Sequence, residues 1–319
     1  MKFKFDAKLD YQLDAISSVV DLFEGFPSAG SLTDIDLGSH EYMGVQQNEL
    51  GIGHGEITNP DAVLANLHKI QEQNFIDKSK QLIAPDDEYS FPNFSVEMET
   101  GTGKTYVFLR TIFELNKAYG FTKFIIVVPS VAIREGILSS IETMRDHFRG
   151  LYDNVPFDYF DYKSKDVAAL RNFARNKEIQ IMVINVQAFQ RDVGQDVDYA
   201  NLTEEEKKKL NIIHRDDDKS AGYRWIEYVQ KTRPIVIIDE PQSVDTSRGA
   251  TRARQAIKTL NPLFALRYSA THIKSFNLLY TLDPIQAYDL RLVKQIEVCL
   301  LYTSPSPRDQ RGSRMPSSA

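Results

Sequence analysis

Five short segments of the chain are mostly apolar, four of them with little alternation: Phe94–Met98, which alternates, and Phe124–Val128, Ile179–Ile184, Ile235–Ile238 and Phe264–Tyr268. A strand wetted on one face alternates apolar and polar residues, so runs with little alternation belong in a sheet covered on both faces. Such sheets are mostly parallel, and the stretches between these runs are long enough for the crossover helices that parallel strands need. One of them, Thr105 to Tyr119, sets Val107, Phe108, Ile112, Phe113 and Leu115 on a broad face and then meets Gly120, a natural helix stop. The predicted fold class is α/β, a mostly parallel sheet with helices on both faces, over residues 62–276.

Outside this span the pattern is weaker. Residues 1–61 read as an N-terminal extension, with a helix from about Asp10 to Phe23 that carries Tyr11, Leu13, Ile16, Val19, Val20 and Phe23 as its apolar positions. A Gly-, Asn- and Asp-rich stretch from Gly25 to Pro60 then reads as a long loop. Asp61 is placed to N-cap a helix running to about Phe75. Thr203 to Lys219 holds runs of like charge and is expected to be a solvated surface insertion. Residues 277–299 are expected to form an exit segment leading out of the domain. Residues 300–319 are Ser-, Pro- and Arg-rich with no apolar period, resemble translated adapter sequence, and are expected to be disordered and foreign to the fold.

Composition narrows the class. With 42% hydrophobic and 26% charged residues the chain is globular, and no run approaches the ~20 apolar residues of a membrane span. The N-terminus lacks the apolar core and cleavage site of a secretory signal, and the single cysteine, Cys299, allows neither an internal disulfide nor a cysteine-rich zinc site. The expected compartment is the cytoplasm, with no membrane partner. A net charge of −6 provides no global positive field, so any nucleic-acid contact must be local. The six histidines, His40, His54, His68, His147, His214 and His272, show no ligand spacing and are expected in core or surface roles. Glu205-Glu206-Lys207 matches half of a nuclease pattern but lies in the charge run, away from any strand.

Chemistry concentrates at the ends of the predicted strands. Glu99-Thr100-Gly101-Thr102-Gly103-Lys104-Thr105 joins a strand to a helix. Glycines let main-chain N–H groups curl round a phosphate, and the helix N-terminus adds a favourable dipole. In this reading Lys104 reaches the β- and γ-phosphates and the Thr105 hydroxyl ligates magnesium. The first glycine of the full pattern is missing, since that position is Met98. Asp239-Glu240-Pro241-Gln242 ends the Ile235–Ile238 run, with Asp239 suited to the magnesium shell and Glu240 to polarising a water. Ser269-Ala270-Thr271 follows the next strand, and its hydroxyls suit a link between the nucleotide site and neighbouring elements.

In this order and on these strand ends, the three motifs resemble motifs I, II and III of the first RecA-like P-loop lobe of superfamily 2 helicases. Val96-Glu97-Met98-Glu99, the Asp239-Glu240-Pro241-Gln242 spelling and Leu292-Val293-Lys294-Gln295-Ile296-Glu297-Val298 resemble, more narrowly, the restriction (Res) subunit of type III restriction-modification enzymes. The resemblance implies an ATPase motor using ATP and Mg2+. Its catalytic set is Lys104, Asp239, Glu240 and Gln242, its nucleotide contacts run over Thr100, Gly101, Thr102, Gly103, Lys104 and Thr105, and Ser269 and Thr271 couple the site outward. It further implies that Gln12 reads adenine, and that Pro129, Ser130, Arg134, Asn185 and Gln187 touch the backbone of double-stranded DNA. A modification (methyltransferase) subunit is the implied partner, and a second lobe and a nuclease would lie downstream. Another superfamily 2 helicase, or a nucleotide- and DNA-binding fragment without activity alone, is the alternative.

Overall fold

In the computed structural model, residues 5–27, 44–84, 89–163, 166–189, 199–215, 222–245, 250–271 and 274–293 are described. The tail at 300–319 and most of Leu292–Val298 lie outside them. Seven strands form one sheet: β3 (Asn93–Met98), β4 (Lys123–Val128), β5 (Phe157–Asp161), β6 (Ile179–Asn185), β7 (Ile235–Asp239), β8 (Phe264–Ser269) and β9 (Leu278–Leu282). They lie in the order β5-β6-β4-β7-β8-β3-β9, and every pairing is parallel. The fold is the α/β, parallel-sheet fold expected from the apolar runs, and it agrees with the RecA-like fold that the motif resemblance implies.

Both faces of the sheet are buried, and the central strands divide their residues accordingly. Phe124, Ile126 and Val128 of β4 face one core with Ile235 and Ile237 of β7, while Ile125 and Val127 face the other with Val236 and Ile238. The first core is closed by α1 (Asp10–Val20), α2 (Pro60–Gln73), α3 (Lys104–Tyr119) and α4 (Val131–Leu151); the second by α5 (Ala168–Arg175), α7 (Trp225–Thr232) and α9 (Ala250–Thr259). Helix α6 (Glu204–Lys209) sits in the charge run, started by a Thr203–Glu206 capping box.

Several details differ from the sequence pattern. Phe157–Asp161 is a strand that the pattern does not predict, because it is an edge with one partner and two carboxylates among its five residues. Helix α2 is capped by Asn59, whose side chain accepts from Ala62 N at 3.1 Å; Asp61 lies inside the first turn. The segment expected to leave the domain supplies β9, which pairs with β3, and a short helix α10 (Pro284–Asp289). The N-terminal extension packs into the same core, α1 lying against α3.

The stretch read as a long loop contains an antiparallel hairpin, β1 (Val45–Gln47) and β2 (Ile52–His54). Asn48 shapes its turn by accepting from Leu50 N and Gly51 N, both at 3.0 Å, and donates to Lys231 O at 2.9 Å. A side chain at Gly53 would run into the main chain at Lys231 and Thr232, so only glycine lets the hairpin seat against the end of α7. His54 completes the seating. Its Nε2 accepts from Thr122 N at 3.0 Å and Lys123 N at 3.2 Å, which places the ring proton on Nδ1, where it donates to Arg233 O at 2.9 Å. One buried imidazole thus joins the extension to the start of β4 and to the turn before β7.

Burial holds the His54 pKa down at about 3, against the opposing bond to Arg233 and with help from the charge of Lys123. An unfolded histidine takes up its proton near pH 6.5 and the folded one near 3, so the unfolded state binds more protons between those values and stability falls as pH drops through that window. The expected slope from this residue is up to about 1.4 kcal/mol per pH unit. His54→Gln should be less stable at pH 7.5 and should lose that part of the slope, as read from urea midpoints between pH 4 and 7.5.

Candidate nucleotide-binding site

The strand order places β7, β8 and β3 side by side, so the three motifs leave the sheet at one edge. Glu99 N donates to Leu282 O at 3.0 Å, tying the start of the Gly-rich loop to the end of β9. Within the loop, Thr102 donates to Glu99 O from both its N–H, at 3.3 Å, and its hydroxyl, at 2.6 Å. Thr100 N is held by Glu99 Oε1 at 2.7 Å. Gly101 and Gly103 take φ of 85° and 94°, the left-handed region that other residues enter only with strain. Met98 is fully buried beneath the loop, so the missing first glycine removes nothing from the phosphate-facing side.

Lys104 opens α3 and its Nζ lies 2.7 Å from Glu240 Oε1. Glu240 Oε2 accepts from Gln242 Nε2 and is 3.2 Å from Ser269 Oγ, which is also 3.0 Å from Gln242 Oε1. Ser269 Oγ lies 2.6 Å from Thr271 O and accepts from Thr271 N at 3.3 Å. Lys104, Glu240, Gln242, Ser269 and Thr271 thus form one continuous polar track across three strand ends. Thr271 enters it through its main chain, where the sequence suggested its hydroxyl.

The two carboxylates have different surroundings. Asp239 is buried and its pKa is held up at about 6, first by burial and then by the charge of Glu240, against the pull of Lys104 and a main-chain bond from Glu240. Burial also pushes Glu240 up, but bonds from Lys104, Gln242 and Ser269 overcome it and hold the group below the usual carboxylate range. Glu240 sits at φ 53°, its N–H donating to Tyr268 O at 3.0 Å. A buried carboxylate short of positive charge, and the Thr105 hydroxyl in the first turn of α3, are the hard oxygen donors that suit Mg2+.

Gln12 and Tyr11 of α1 reach the same loop. Both donate to Thr102 O, at 3.0 and 3.1 Å, so the N-terminal extension contacts the site directly. Neither Leu282 nor Tyr11 was assigned a contact with this loop from the sequence; the only signal for Tyr11 was its place beside Gln12.

Against the model of the family described as type III restriction enzyme, res subunit, residues 9–274 match. The chain belongs to that family. It is 27% identical to the EcoPI Res subunit of Escherichia phage P1 over 92% of this chain and 29% of the relative. It is 28% identical to the EcoP15I Res subunit of Escherichia coli over 75% of this chain and 25% of the relative. With the StyLTI Res subunit of Salmonella typhimurium, identity is 34% over 56% of this chain and 18% of the relative. The chain therefore spans less than a third of the length of these Res subunits.

The residues expected to touch DNA stand at or just after the ends of β4 and β6, on the same sheet edge, and the side chains of Ser130, Arg134 and Asn185 make contacts within the fold. Ser130 caps α4, accepting from Ile133 N at 3.3 Å, and Asn185 accepts from Gln187 N at 3.3 Å. Arg134 lies 3.2 Å from Asp161 at the end of β5, the two side chains being only 15% and 13% exposed. Pro129 is half-buried and Gln187 exposed. Arg134→Ala should lower stability by about 1–2 kcal/mol, because it removes the closest charge beside Asp161. A urea midpoint checks this; a solvated arginine would change stability by less than about 0.5 kcal/mol.

Proposed function

We propose that this chain is the first motor lobe of a type III restriction enzyme Res subunit, binding ATP with Mg2+ in a site that couples hydrolysis to movement along, or switching on, double-stranded DNA. The observation that carries the reading is the track from Lys104 through Glu240, Gln242 and Ser269 to Thr271, built from three separate motifs. In it, the loop N–H groups and Lys104 hold the triphosphate, and Thr105 and Asp239 hold the cation. Mg2+ would neutralise charge on the phosphate oxygens. Glu240 orients and deprotonates the attacking water, and Gln242 and Ser269 fix its carboxylate.

The Lys104–Glu240 pair gives this reading a specific consequence. While the two charges neutralise each other, neither the phosphate-binding cation nor the base is available. Lys104 must turn to the γ-phosphate before Glu240 can act. A cation brought to the γ-phosphate in the transition state is worth roughly 10³ to 10⁵ in rate in P-loop NTPases. DNA-stimulated turnover separates the motor from the alternative, a nucleotide- and DNA-binding module without activity. Main-chain phosphate contacts at the β4 and β6 ends, where the side chains of Ser130, Arg134 and Asn185 are engaged within the fold, suit DNA binding that ignores sequence and fades as salt rises. A modification subunit of the same restriction-modification enzyme would then supply sequence recognition.

Lys104→Ala should weaken ATP binding by about 10- to 100-fold through loss of a charge-assisted contact. Glu240→Gln should bind ATP at least as tightly as the natural chain, since Lys104 is released, and in the intact enzyme should lose turnover. Titration with labelled ATP and single-turnover phosphate release measure the two. Unchanged binding in Lys104→Ala would overturn the site, and normal turnover in Glu240→Gln would overturn the assigned base.

A further inference from the structure

Thr102 is almost wholly buried, and its N–H and hydroxyl are both committed to Glu99 O. What remains to be fixed is the orientation of the peptide unit joining it to Gly103. Two donors from α1 meet at that unit's oxygen: Tyr11 Oη at 3.1 Å and Gln12 Nε2 at 3.0 Å, with Gln12 Nε2 also 3.3 Å from Tyr11 Oη. In a trans peptide the C=O and the next N–H point to opposite sides of the chain. Holding Thr102 O against α1 therefore turns the Gly103 N–H away from α1. Gly103 is required twice over. It takes φ 94°, and a Cβ there would come within 2.5 Å of Gln12 Nε2 and push the amide off the oxygen it holds.

We infer that Tyr11, with Gln12, is a positioning residue that sets the Thr102–Gly103 peptide plane so that the Gly103 N–H faces the phosphate chain. The inference rests on the reading of this loop as a triphosphate site and deepens it. It assigns to the first turn of α1 a task directed at phosphate, in addition to any contact of Gln12 with the base. Burial raises the Tyr11 pKa, so the hydroxyl stays a donor through the neutral range. Because the device acts on phosphate geometry, it is indifferent to which base the phosphate carries.

The test uses the 319-residue chain and three probes, ATP, GTP and inorganic tripolyphosphate, whose dissociation constants are measured by calorimetry for the natural chain, Tyr11→Phe and Lys104→Ala. Tyr11→Phe keeps the ring and its packing and removes one donor. It should weaken all three probes by a similar factor of about 5- to 10-fold, with binding stoichiometry unchanged. A purely structural role would lower the folded, binding-competent fraction and hence the stoichiometry, without a common shift in the constants, and would overturn the inference. Loss confined to ATP would place Tyr11 in base recognition and also overturn it. If Tyr11→Phe binds all three normally while Lys104→Ala loses them, the positioning role fails and the phosphate site stands. If Lys104→Ala binds the three probes as tightly as the natural chain, or the natural chain binds none of them, both fall.

Discussion

Parallel strands must all finish at the same edge of their sheet, and almost everything in this molecule follows from that constraint. A parallel sheet needs crossovers, the crossovers cover both faces, and coverage on both faces makes the strand interiors mostly apolar, with the few polar exceptions such as Ser95, Gln180 and Arg267 buried. The motifs that carry chemistry lie at the strand ends. With β7, β8 and β3 adjacent, the ends that carry Asp239–Glu240, Ser269–Thr271 and the Gly-rich loop become neighbours, although 136 residues separate Lys104 from Glu240.

The opposite edge of the sheet faces the same constraint. There the chain uses its own groups. His54 bridges the β4 start and the Arg233 carbonyl, and the fully buried Lys123 donates to the carbonyls of Phe173 and Asn176 while lying 5.6 Å over the Phe173 ring. Burial brings that lysine down to about 7. The N-terminal hairpin is thus part of the domain's floor. It closes main-chain groups that the sheet cannot pair among themselves.

This division explains what could be read from the residues alone. The five inner strands were legible because burial on both faces leaves a local mark, and the three motifs were legible because their spelling and their place after apolar runs are local too. Edge strands β5 and β9 were not, since their partners rather than their own pattern make them strands. The same holds for the contact of Arg134 with Asp161, which exists only because β5 brings that carboxylate alongside, and for the capping bonds of Ser130 and Asn185, which their sequence neighbourhood does not single out. Tyr11 needed the peptide plane of a loop 91 residues away before its hydroxyl had a task.

Glu240 carries a tension of its own. Its main chain lies at φ 53°, a conformation that suits glycine or asparagine and costs other residues about 1–2 kcal/mol. The bond from its N–H to Tyr268 O holds it there. The strain aims a carboxylate at Lys104 that a relaxed backbone would direct elsewhere. Selection for heat resistance alone would therefore press on position 240 toward a residue that fits the backbone and lacks the acid. Any effort to stabilise this domain has to exempt that position from its own best advice.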